Sequence, residues 1–193
     1  MQEPQAPEKS RARVLDVAEY VLEKMGPMSA MKLQKLVYYC QAWSLVWDDR
    51  LLFPERIEAW REGPVVPELF DRHRGAYLVR AGDVSVRPAA LDLAARRTVD
   101  VVLDAYGRLS GEELSQRSHA ENPWRGARQG LTDEDPSGRE IDPDTMRQFY
   151  AAVKPAPVGG SRRFHLRGLL HGVTPENRHA EVPTGRSVGR EAW

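Results

Sequence analysis

Apolar residues recur at helical spacing through most of the chain and at two-residue spacing in one short stretch. Val14, Ala18, Val21, Leu22 and Met25 follow one helical face, which predicts an amphipathic helix that stops at Gly26-Pro27. Ser29 then suits the cap of a second helix, because its side-chain oxygen can accept from backbone N–H groups two or three residues on. In "KLQKLVYYCQAWSLVW" a stripe of Leu33, Leu36, Val37, Cys40, Trp43 and Trp47 is joined by Tyr38, Tyr39, Ala42, Leu45 and Val46. A helix so nearly covered in apolar groups is expected in the middle of the fold. Leu91, Ala95, Val99, Val102, Tyr106 and Leu109 predict a long helix ending near Gly107. Ser110 and Glu113 have capping-box spacing, and Asn122-Pro123 and Asp142-Pro143 each read as an N-cap followed by proline at the first helical position. Met146, Phe149, Tyr150 and Val153 mark a last helix, with "TDEDPSGRE" a polar loop before it.

The alternating stretch is "RIEAWREGPVVPELF". Its pleat sends Ile57, Ala59 and Arg61 to one face and Glu58, Trp60 and Glu62 to the other, so Trp60 stands beside carboxylates. The expected partner strand is "LLF", Leu51 to Phe53, across a turn. Gly63 and Pro64 are expected to end the pairing, since proline brings no N–H to a ladder. Pro67 suits the first turn of a new helix, with Glu68 supplying negative charge there in place of a side-chain cap. Prolines at 54, 64 and 67 make a stiff corner of low unfolded-state entropy, as suits a surface that holds its shape for a partner. The fold class is thus mainly α (α+β), a compact helical domain with a small antiparallel β-hairpin.

Composition adds boundaries. Residues 1–10 hold two prolines and little apolar bulk, and residues 155–193 are rich in Gly, Pro and Arg, so both are expected to be disordered around a domain at 11–154. Across 193 residues Lys plus Arg equals Asp plus Glu, 28 each, while the tail has six arginines against three glutamates, leaving a mildly acidic body with a basic tail. A body of that sign argues against a nucleic-acid reader. The one cysteine excludes an intramolecular disulfide, nothing reads as a signal peptide, and no apolar run approaches the roughly 18 residues of a membrane span, so a cytoplasmic protein is expected.

Taken in order, "KLQKLVYYCQAWSLVW", "LLFPERIEAWREGPVVPELF", "VLDAYGRLSGEELSQRSHAENPW" and "IDPDTMRQFY" resemble the Panacea domain of SocA-like antitoxins over about residues 13–153. The resemblance implies a mainly helical domain acting as the antitoxin of a bacterial or phage toxin–antitoxin pair, contacting a cognate protein toxin encoded by an adjacent gene. The SocA branch is similar but serves as an adaptor that delivers its toxin to the ClpXP protease, and other relatives are phage-associated proteins. The leader and tail lie outside the resemblance.

Candidate chemistry is sparse. No phosphate-binding loop and no G-x-G-x-x-G after a strand occurs, so nucleotide chemistry of those kinds is not expected. Cys40 sits among apolar residues where nothing would stabilise a thiolate. His119 and Glu121 are close in sequence but lack a second ligand pair, and read better as groups at a helix junction. No catalytic residue, metal or cofactor is assigned. The residues expected to contact a partner are Trp60, Arg61, Glu62, Gly63, Pro64, Val65, Val66 and Pro67, with Tyr38 and Tyr39 from the second helix, because interface anchors are typically Trp, Tyr and Arg.

Overall fold

The computed structural model describes residues 12–85, 90–132 and 134–153; the leader at 1–10 and the tail at 155–193, with the roles expected for them, lie outside this range. Among the described residues, seven helices and four short strands follow in the order α1 (Val14–Met25), β1 (Met28–Ser29), α2 (Ala30–Trp47), β2 (Glu58–Trp60), β3 (Gly63–Val65), α3 (Pro67–His73), β4 (Leu78–Val79), α4 (Leu93–Tyr106), α5 (Gly111–Ala120), α6 (Asn122–Ala127) and α7 (Pro143–Val153). The fold class is the expected one, mainly α with a small antiparallel hairpin. The apolar helix α2 runs through the centre and packs against α1, α3, α4, α5 and α7 as well as β1 and β3. None of the described helices is long and apolar enough to cross a membrane.

Local chemistry sets most element ends where the spacing predicted them. α1 stops at Gly26, whose φ of +76° lies in the region that favours glycine. The Ser29 hydroxyl accepts from the Lys32 N–H at 3.3 Å to cap α2. Ser110 and Glu113 close the capping box of α5, with bonds of 3.1 and 2.7 Å. The Asp142 carboxylate accepts from the Thr145 N–H at 2.8 Å ahead of α7. α6 differs: Glu121 and not Asn122 is its cap residue, and Asn122 is already helical. The Glu121 carboxylate makes no cap bond because two tyrosine hydroxyls hold it instead.

The hairpin is real, but its partner strand is not the expected one. β2 pairs with β3, Glu58 opposite Val65, Ala59 opposite Pro64 and Trp60 opposite Gly63. Pairing therefore runs through the Gly-Pro step where it was expected to end. The reason is register. Ala59 donates its N–H outward to the Arg139 carbonyl at 2.8 Å, so Ala59 and Pro64 form a pair that exchanges no ladder bonds, and the N–H that proline lacks is not needed there. Leu51 to Phe53 forms no strand because the Gln41 side chain takes over its backbone: Oε1 accepts from the N–H groups of Leu52 and Phe53 at 2.9 and 3.2 Å, and Nε2 donates to the Phe53 carbonyl at 3.0 Å. A second pair, β1 with β4, was not expected at all; at two residues each, these strands are too short to leave a periodicity.

Candidate functional site

Arg61 and Glu62 form the tip of the hairpin and are both exposed. Among the described residues Asp49 is the one non-glycine with positive φ, so neither tip residue adopts the left-handed backbone of a tight I′ turn. Gly63 supplies the compensating twist at φ +104°. At the tip the Arg61 Nε lies 3.0 Å from Glu62, and an Arg61 Nη lies 3.5 Å from Glu134. Behind it, half-buried Trp60 donates its indole N–H to Glu58 at 2.7 Å and meets half-buried Phe70 of α3 edge to face, ring centres 4.9 Å apart. The Arg74 guanidinium stands 5.4 Å from the centre of the Phe70 ring. Trp60 thus has the expected carboxylate neighbour in Glu58, whereas Glu62 has moved out to the tip.

The corner is held from below by side chains of α2, α5 and α6 and of the segment that follows α6. Gln34 of α2 grips the backbone of Val66, accepting its N–H at 2.9 Å, and its amide nitrogen lies 3.0 Å from the His73 ring. Burial holds the His73 imidazole below its usual value. Lys35, one helical position on and 1% exposed, donates to the Pro64 carbonyl at 3.1 Å. Ser115 of α5 donates to the Glu62 carbonyl at 2.7 Å. From α6, the Trp124 indole donates to the Trp60 carbonyl at 2.9 Å. Arg128, just beyond α6, donates to the carbonyls of Ala59, Thr132 and Asp135 at 3.1, 2.6 and 2.8 Å and lies over the Trp124 ring. The outer edge of β2 is further tied to the 139–141 segment, with the Ile141 N–H donating to the Ile57 carbonyl at 2.8 Å. Most of these bonds end on main chain, so the hairpin is held in shape and is not a free loop.

The structure divides the expected contact residues. Arg61 and Glu62 are exposed, Trp60 and Pro67 are half-buried, and Gly63, Pro64, Val65 and Val66 are buried. Tyr38 and Tyr39 are 0% exposed and so are not available to a partner in this fold. They belong to a core network in which the hydroxyls of Tyr150 and Tyr39 donate to Glu121 at 2.6 and 3.2 Å and the Tyr38 and Tyr150 hydroxyls are 3.1 Å apart. Burial raises the Glu121 carboxyl above its ordinary range and raises both tyrosine hydroxyls as well. His119 stacks on Trp124 with ring centres 4.0 Å apart, and burial alone pushes the Cys40 thiol up, away from a reactive thiolate.

Sequence reasoning missed Phe70 as the partner of Trp60, and it missed the supporting side chains Gln34, Lys35, Ser115, Trp124 and Arg128. One signal was present: Gln34, Lys35 and Gln41 interrupt an otherwise apolar helix, and buried polar groups in such a position need a specific partner.

Comparison with protein families matches residues 33–125 to the family described as antitoxin SocA-like, Panacea domain, just under half of the chain. The match begins in α2 and ends in α6, taking in the hairpin and most of the side chains that hold it. No curated protein and no solved structure matches the chain.

Proposed function

We propose that this chain, a member of the SocA-like antitoxin family through the Panacea domain at residues 33–125, neutralises a cognate protein toxin by direct contact through its hairpin corner. The observation that carries this reading is the combination of an exposed Arg61-Glu62 tip, a half-buried Trp60–Phe70 pair beside it, and a main chain fixed from below by α2, α5 and α6. A corner ordered before binding loses little conformational freedom on association, and Trp and Arg are the residue types that dominate binding hot spots. The inhibition is steric: the corner occupies a surface that the toxin needs, and no bond is made or broken. The adaptor alternative assigns its recruiting role to the leader or tail, outside the described residues.

Co-expression with the adjacent open reading frame is the test. The wild-type chain is expected to restore growth and to co-purify with the neighbouring product. Trp60→Ala is expected to weaken binding by more than about 2 kcal/mol, roughly 30-fold in Kd, while circular dichroism stays close to wild type and folding stability falls by only about 1 kcal/mol, from the lost Phe70 ring pair. A matched loss of fold and binding would instead make Trp60 a structural residue. Rescue of growth by a chain that never associates with the toxin would end the binding reading.

A further inference from the structure

The two short sheets differ in how their outer edges are covered. Along β2 the Arg139 carbonyl accepts from the Ala59 N–H and the Ile141 N–H donates to the Ile57 carbonyl, while along β3 the Lys35 amine donates to the Pro64 carbonyl. β4 has no such cover among the described residues. It pairs with β1 as Met28 opposite Val79 and Ser29 opposite Leu78, and the Ala30 N–H donates to the Tyr77 carbonyl at 2.9 Å. Antiparallel ladders alternate pairs that exchange bonds with pairs that do not, so the Ser29–Leu78 pair exchanges none. The Leu78 N–H and carbonyl therefore point away from β1, and neither bonds another described residue. Such an edge is a template for a further strand.

Its side chains select the kind of strand. Tyr77 is 84% exposed, more than any other large apolar residue described, and Leu78 is 49% exposed. Residues 72–80 contain three arginines, all exposed, and no carboxylate. Arg74 is paired with Asp71 and Arg80 lies 3.8 Å from Asp83, while Arg72 makes no ion pair among the described residues. Arg74 also stands over the Phe70 ring, which meets Trp60 edge to face, so α3 links the hairpin corner to the loop that leads into β4.

Resting on the reading of a protein toxin bound at that corner, we propose that β4 takes a third strand from the same toxin, an extended segment in which aliphatic residues are flanked by Asp or Glu. Leu78 offers one donor and one acceptor, which a peptide backbone matches and a nucleic-acid phosphate, an acceptor only, does not. A second copy of this chain is disfavoured by charge, because edge-to-edge pairing would set the same arginines against one another. On the incoming strand the aliphatic residues lie against Tyr77 and Leu78, and the acidic ones meet the arginines and fix the register.

The test uses the full chain with the product of the adjacent open reading frame. Leu78→Pro removes the outward N–H and costs no ladder bond, whereas Leu78→Thr keeps that N–H with a side chain suited to a strand. Leu78→Pro is expected to raise Kd about tenfold more than Leu78→Thr, and Arg72→Glu to raise it several-fold, by less as salt increases. In the wild type the Leu78 amide, followed by NMR, is expected to exchange fast in the free chain and slowly in the complex. Equal Kd for Leu78→Pro and Leu78→Thr would overturn the proposal. So would a Leu78 amide already protected in the free chain, which would mean that the chain itself or a second copy covers the edge, or a gel shift of duplex DNA that Arg72→Glu abolishes. Should Leu78→Pro not fold, the wild-type exchange decides. Failure here is separable from failure at the corner: Trp60→Ala weakening binding while Leu78→Pro leaves it intact ends the edge alone, the reverse ends the corner alone, and a wild-type chain that never associates ends both.

Discussion

Gly63→Ala is expected to be among the most damaging single substitutions in the domain, lowering stability by about 3 kcal/mol and the melting temperature by roughly 10 °C. Two effects add. The backbone at φ +104° is one that side chains with a Cβ rarely adopt, a cost of about 1–2 kcal/mol. The new methyl also meets Lys35 Nζ and Cε at 2.7 and 2.8 Å and Ser118 Oγ at 3.1 Å, and the buried lysine must release Pro64 to make room. Gly130→Ala separates the two, since Gly130 has φ +84° and a methyl group added there would meet nothing within 4 Å, so it carries the backbone strain alone. Equilibrium denaturation of both variants checks this. Equal losses would mean that the Lys35 contact under the hairpin contributes nothing.

Arg128→Met is expected to lower stability by about 3–5 kcal/mol and to loosen the outer side of the hairpin before the rest of the domain. Arg128 is 4% exposed, and its guanidinium ties carbonyls of Ala59, Thr132 and Asp135 while lying over Trp124. Methionine fills part of the volume but donates nothing, which strands these acceptors. Hydrogen exchange should then accelerate first in residues 57–62 and 132–141, with α1 and α4 unaffected. Uniform acceleration would instead make Arg128 a global packing residue with no particular hold on the corner.

How far the fold was legible follows from what kind of signal each element leaves. α4 and α7 bury one stripe, and Ser29, Ser110 and Asp142 act on neighbours three residues away, so spacing alone exposes them; α1 shows the same apolar spacing although residues 17–22 are all buried. Local signals failed where a distant group decided the outcome. Leu51 to Phe53 looks like a strand until Gln41, from another element, takes its backbone. Pro64 looks like the end of a ladder unless its register against Ala59 is known. Glu121 and Asn122 do open α6, but no local signal shows that the Glu121 carboxylate makes no cap bond, because the tyrosines that claim it lie 82 and 29 residues away. The candidate site divides in the same way: the prolines, glycine and Trp60 of the corner could be read from composition and alternation, whereas Tyr38 and Tyr39 drew attention as tyrosines and are core. Nothing in a one-dimensional pattern reveals that Lys35, Trp124 and Arg128, from three separate places in the chain, meet beneath one hairpin.

The most direct measurement for the corner as the binding element is the hydrogen-exchange footprint of the complex with the toxin encoded alongside. Strong added protection is expected across residues 58–70, at the Arg61-Glu62 tip and the Trp60–Phe70 pair, with little change on the surface where α1 meets α4. Protection confined to the α1–α4 surface, with residues 58–70 exchanging as in the free chain, would contradict that role.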